Sequence, residues 1–222
     1  MTEVVPAIIP KRSVDIKEDA LKVRDFVEGV QIDIMDGKYT PEPCWPFTEH
    51  QDGIAEELNH NLSQELRIGF ELDMMVHEPG RFLDAWSNFG VHLFLLHFHS
   101  VETHELHELI GVLREKGKDV GIAIKPSTGI DALEPFIEKI DQVQVMGSDQ
   151  IGFHGVLLDE RVPRLINDLR NRHKELIISV DIGVNFETAP KLVEAGVSKL
   201  VSGSAIYGSP DIGEAIRKLS LS

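Results

Sequence analysis

Residues 30–37 read Val30-Gln31-Ile32-Asp33-Ile34-Met35-Asp36-Gly37, and this stretch decides the fold. Gln31, Asp33 and Met35 alternate with aliphatic residues, the period of two that sends successive side chains to opposite faces of a strand. The run breaks at Asp36-Gly37, a turn pair. A carboxylate inside an apolar strand costs several kcal/mol unless something compensates it, so Asp33 calls for a reason. The pattern returns at Ile177-Ile178-Ser179-Val180-Asp181-Ile182-Gly183. Two strand-borne aspartates, each followed closely by glycine, point to a site with two opposed carboxylates.

Outward from this strand, apolar runs recur at 4–10, 30–35, 67–76, 92–99, 120–124, 142–146, 176–184 and 199–206. Helical patterns lie between and after them, at 17–27, 51–59, 80–89, 103–116, 131–139, 160–173, 188–195 and 211–219. Strict alternation implies parallel strands joined by right-handed helical crossovers. Eight such units predict a single (β/α)8 TIM barrel over residues 1–222. An open doubly wound sheet would carry a glycine-rich turn after its first strand, and residues 4–13 contain no glycine.

Composition narrows the function. The 222 residues are 42% hydrophobic and 27% charged, with a net charge of −15. That balance excludes a nucleic-acid partner, which needs concentrated Lys and Arg. It leaves room for a small phosphorylated substrate, because a few backbone N–H groups can hold one phosphate. No apolar run approaches the roughly 18 residues of a membrane span, so no membrane partner is expected. The N-terminus lacks the basic and apolar regions of a signal peptide, so a cytoplasmic location is expected. Cys44 is the sole cysteine, which rules out an internal disulfide and a cysteine zinc cage.

In a barrel the active site lies at the C-terminal ends of the strands. Asp33, Asp73, Asp181, His97, His99 and Gly203-Ser204-Ala205 fall near such ends. With these residues in view, the chain resembles the ribulose-phosphate 3-epimerase family from about Val5 to about Lys218. The resemblance rests on Asp33-Ile34-Met35-Asp36-Gly37, Asp73-Met74-Met75-Val76-His77-Glu78-Pro79 and Ala123-Ile124-Lys125-Pro126-Ser127-Thr128. It rests also on Val180-Asp181-Ile182-Gly183-Val184 and Val201-Ser202-Gly203-Ser204-Ala205-Ile206. It implies a (β/α)8 barrel of the phosphate-binding type, an isomerase that inverts the carbon beside a ketose carbonyl, as between D-ribulose 5-phosphate and D-xylulose 5-phosphate. Asp33 and Asp181 fall on the family's two proton-transfer positions. A carboxylate pair can exchange the roles of acid and base, so the reaction runs both ways. Met35, Met75 and Met146 match methionines that line the sugar, with inward core packing as the competing reading.

The family holds a divalent metal with two histidines and two aspartates. Here those positions carry Gln31, Asp33, Asp73 and Asp181, an all-oxygen set that suits Mg2+, Mn2+ or another hard ion better than Zn2+. Three readings stay open: a harder ion, catalysis without metal, or loss or replacement of the epimerase chemistry. Ala7 stands where the family has a substrate-contacting serine, and Lys38 where it has a histidine; Lys38 is read as solvated. The proline-rich stretch Glu42-Pro43-Cys44-Trp45-Pro46 is read as a rigid loop that roofs the pocket or forms a subunit contact.

At the phosphate end, Gly152-Phe153-His154-Gly155 resembles the family's closing loop, and Gly183 with Gly203-Ser204 supplies further N–H groups. The first glycine of the family's Asp-Gly-Gly is Ile182 here, which narrows the expected pocket. Among the histidines, His97 matches a family residue and is read as a satisfied interior histidine. His99, of the same strand parity, is a candidate replacement ligand. His104 and His107 have metal-like spacing but sit among glutamates on an exposed helix. Phosphate-binding barrels also host aldolases and decarboxylases. Lys125 is the one candidate for a Schiff base, and Ile34 and Met35 fill the space where a decarboxylase would want a lysine. A sugar-phosphate-binding barrel without epimerase chemistry is the alternative. Family analogy adds a homo-oligomer.

Overall fold

Each expected strand forms where period-two or continuous apolar sequence allows both faces to be covered. The computed structural model describes residues 2–48, 54–153 and 156–222. Its strands are β1 (Glu3–Ile8), β2 (Gly29–Met35), β3 (Gly69–Met75), β4 (Val91–His97), β5 (Asp119–Ile124), β6 (Gln142–Met146), β7 (Ile177–Asp181) and β8 (Lys199–Ser202). They form a closed barrel in the order β1 to β8. Every recorded pair is parallel, as helical crossovers require.

The helices are α1 (Ser13–Val23), α2 (Ile54–Glu57), α3 (Leu62–Leu66), α4 (Leu83–Phe89), α5 (Thr103–Glu115), α6 (Val162–Arg172), α7 (Ala189–Glu194), α8 (Ser204–Tyr207) and α9 (Ile212–Ser220). The long ones bury one stripe at helical spacing: Leu106, Leu109, Ile110 and Leu113 in α5, and Val162, Ile166 and Leu169 in α6. Two compact units are distinguishable, one of residues 7–120 and one of residues 1–6 with 121–222. In the first, β2 is buried along its whole length and runs in register with β3. Trp45 packs edge-on against Trp86, and Trp86 against Phe89. In the second, β6 pairs with β7 and β7 with β8, while Glu3–Pro6 of β1 lines up with Lys199–Ser202.

Several expected elements are corrected. The helix expected over 131–139 is instead two 3-10 turns, Ile130–Leu133 and Ile137–Lys139, because Pro135 between them has no N–H to donate and its ring blocks a continuous α-helix. The expected strand over 199–206 stops at Ser202, and α8 begins at Ser204. The run over 176–184 stops at Asp181, where Ile182 and Gly183 take up positive φ. The run over 92–99 stops at His97. Of the helix expected over 51–59, Ile54–Glu57 is observed, and 51–53 lie outside the described residues. The α3 helix was not anticipated; Asn61 caps it, its side chain accepting from the Gln64 N–H.

Candidate active site

In the unit of residues 7–120, register does the positioning. Gln31 lies beside Glu71, Asp33 beside Asp73, and Met35 beside Met75. Partners in register on neighbouring strands project to the same face, so the row Gln31, Asp33, Met35 stands beside the row Glu71, Asp73, Met75. Asp33, Asp73, Glu71 and Gln31 are all buried. The Gln31 Nε2 donates to Asp33 Oδ1 at 2.8 Å, and the Asp73 Oδ1 lies 2.7 Å from His97 Nε2. Gln31 thus answers part of the cost of burying Asp33, and His97 part of that of Asp73.

The chain after β2 is tied back onto the strand end. Asp36 accepts from the N–H groups of Lys38, Tyr39 and His77, which joins the turn after β2 to the end of β3. The Cys44 N–H donates to the Met35 carbonyl, the Met35 N–H to Cys44 Sγ, and the Trp45 N–H to the Pro10 carbonyl. Residues 43–45 therefore cover the β2 edge beyond the point where β1 has ended. Burial first, then the Asp33 charge, push the Cys44 thiol up to about 12. Tyr39 stacks at a tilt on His97 with centroids 5.2 Å apart, and burial followed by the Asp73 charge raises its phenol above the ordinary value.

In the other unit, Asp181 ends β7 beside Met146. The Ile182 N–H donates to Asp181 Oδ1 at 2.7 Å, and the Gly147 N–H donates to the Asp181 carbonyl at 2.5 Å. Gly147 has no room for a side chain, since a Cβ would run into the Ile182 carbonyl. Gly183, at φ +74°, is also crowded, though less: a Cβ there would come within 2.8 Å of the Leu158 backbone N. Asp149 fastens the loop after β6: it accepts from Ser127 N–H and Oγ, and from Arg161 at 2.6 Å. Burial alone would raise the Asp149 carboxyl, but the bonds from Ser127 and Arg161 outweigh it and hold it low. The side-chain and backbone bonds from Arg161 hold Asp159 at about 2.

The expected site residues divide as follows. Met35, Met75 and Met146 are buried at strand ends. Gly152 has positive φ in the loop after β6, Gly203 precedes α8, and Ser204 is exposed at its start; Gly155 lies outside the described residues. Lys38 is exposed, as read. His99 is exposed beyond the end of β4, so its strand parity with His97 has no consequence. Glu71 and the chain of bonds from Gln142 Nε2 to Ser179 Oγ to Gln144 Oε1 went unremarked in the sequence. The alternation in Gln142-Val143-Gln144-Val145-Met146 carried that signal.

The fold and its acidic strand ends define the class: a (β/α)8 barrel with buried carboxylates towards the C-terminal ends of its strands. Residues 3–207 match the ribulose-phosphate 3 epimerase family. The chain is 30% identical to the ribulose-phosphate 3-epimerase of Schizosaccharomyces pombe over 192 residues, 86% of this chain and 80% of that one. It is 28% identical to the Bacillus subtilis ribulose-phosphate 3-epimerase over 228 residues, covering 99% and 98%. Among solved structures, 3-hexulose-6-phosphate synthase from Salmonella typhimurium superimposes with a TM-score of 0.70 at 19% identity, covering 100% of this chain and 97% of that one. The chain belongs to the ribulose-phosphate 3-epimerase family and is an isomerase. Among the described residues no helix is long and apolar enough to cross a membrane.

Proposed function

We propose that this enzyme interconverts D-ribulose 5-phosphate and D-xylulose 5-phosphate, with Asp33 and Asp181 exchanging the proton on the carbon beside the ketone. The observation that carries the reading is that buried carboxylates stand at the ends of apolar strands: Asp33 beside Asp73 in one unit, with Gln31 and His97 on them, and Asp181 at the end of β7 in the other. One aspartate removes the C3 proton, and the electron pair moves onto the ketone oxygen to give an enediolate. The other aspartate returns a proton to the opposite face, and the two exchange roles in the reverse direction. Gln31 orients Asp33 through its amide N–H, and the Ile182 N–H orients Asp181. The positive-φ glycines Gly152 and Gly183, with Gly203 and Ser204, are assigned to the phosphate, and Met35, Met75 and Met146 to the sugar.

The donor chemistry fits a hard divalent ion. Asp33, Asp73 and Asp181 would hold Mg2+ or Mn2+, which when bound supplies positive charge against the oxyanion. Gln31 is assigned to the same set through its amide oxygen, with its amide nitrogen on Asp33.

The test is solvent deuterium uptake at C3 of D-ribulose 5-phosphate, with and without added Mn2+ or Mg2+. Uptake should occur, and Asp33→Asn and Asp181→Asn should each lower it by at least about 100-fold. Absence of uptake under every metal condition, with the sugar phosphate still bound, would favour the non-catalytic binding barrel instead.

A further inference from the structure

At the end of β7 the chain turns through two residues of positive φ, and one of them departs from what the backbone favours. Ile182 has φ +75° and Gly183 φ +74°. The left-handed region suits glycine; for a β-branched side chain it is a genuine outlier. Both flanking close approaches are met by glycine: Gly147 against the Ile182 carbonyl, and Gly183 against Leu158. At 182 the same turn keeps an isoleucine, and it is only partly buried. A disfavoured conformation that persists is a reason to look for a function of the side chain that imposes it.

The Ile182 N–H is bonded to the Asp181 carboxylate, so its Cα is fixed beside the group assigned to C3. On its other side lies Gly183, assigned to the phosphate. Ile182 therefore stands between the two groups that set how far the reacting carbon lies from the phosphate. Five- and six-carbon ketose phosphates differ by one carbon in that span. We propose that Ile182 is a specificity-determining residue that confines the site to five-carbon ketose phosphates. This rests on the reaction assigned above.

The experiment compares kcat/KM for D-ribulose 5-phosphate and D-fructose 6-phosphate in the wild-type enzyme, Ile182→Gly and Ile182→Val. Glycine keeps the N–H on Asp181 and removes the side chain; valine keeps the branch. The five-carbon preference should fall about tenfold or more in Ile182→Gly, the scale of one methylene in an apolar pocket, and persist in Ile182→Val. A ratio unchanged within about twofold in Ile182→Gly overturns the inference. So does a fall in Tm of more than about 5 °C in that variant, which would mark Ile182 as a packing residue. If the wild-type enzyme turns over neither sugar, the assigned reaction fails by itself. Dissociation constants of the same two sugar phosphates, by calorimetry, then decide: the same change of ratio supports the inference, and no change overturns it.

Discussion

Asp73 and His97 are enclosed on all sides, at 0% and 1% exposure, and their 2.7 Å contact is among the most sheltered polar pairs in the molecule. Breaking such a pair from one side costs more than replacing both partners, because the remaining buried carboxylate loses part of its compensation. His97→Leu should therefore destabilise the protein by about 3 kcal/mol in urea unfolding, while adding Asp73→Leu should recover most of the loss. Equal loss in both variants would show that the pair is not coupled. Cys44 gives a second residue-scale expectation. Its thiol is pushed up to about 12 in the fold, from an ordinary value of 9.0. The unfolded chain thus loses this proton first as pH rises. The contribution is fully present below about pH 9 and declines towards pH 12 by at most about 1.4 kcal/mol per unit. Cys44→Ala, compared with the wild type across that window, should flatten the decline. Asp33 and Asp181 stand out in the sequence as carboxylates at alternate positions of apolar strands, and both are buried in the fold. His99 misled because parity says nothing once a strand has stopped. Glu71 has the same parity as Asp73 and is buried with it, but no motif marks it out.

At the scale of elements, the loop between β6 and α6 is fastened at both ends by charged groups. Asp149 holds Ser127 from the turn after β5, and Arg161 bridges Asp149 and Asp159 at 2.6 Å each. These groups are partly exposed, so each bridge contributes little to global stability, of order 1 kcal/mol or less. Their effect belongs to local opening. Arg161→Ala should leave Tm within about 2 °C of the wild type, yet raise the rate of limited proteolysis between residues 147 and 161 by about fivefold. Unchanged cleavage would show that the clasp does not hold the loop. The placing of elements was readable from periodicity, but their ends were less so. Leu200-Val201-Ser202-Gly203-Ser204-Ala205-Ile206 is continuously small or apolar, and its strand and α8 are both buried at apolar positions, so hydrophobicity gave no sign of the break at Gly203. Pro135 did carry such a sign, and it outweighs the helical spacing around it.

For the whole molecule, alternation of strand and helix made the barrel legible without any motif, whereas the reaction needed motifs at the strand ends. Charge is the other global property in the sequence. Twenty-two basic residues face 37 acidic ones, leaving −15. Two effects of salt then oppose each other. Screening weakens ion pairs such as Lys17–Glu65, Lys22–Asp19 and Arg172–Asp131, but these are exposed, and exposed pairs give about 0–1 kcal/mol each. Screening also relieves repulsion among the excess carboxylates, which acts between many partners at once. The second effect should win at neutral pH. Raising ionic strength from about 0.01 to 0.15 M shortens the Debye length from about 30 to 8 Å, which should raise Tm by about 2–4 °C, or roughly 1 kcal/mol for a chain of this size. Near pH 4.5, where carboxylates begin to take up protons, the excess shrinks and the gain should fade. A Tm that falls with salt at pH 7 would mean that the ion pairs outweigh the repulsion.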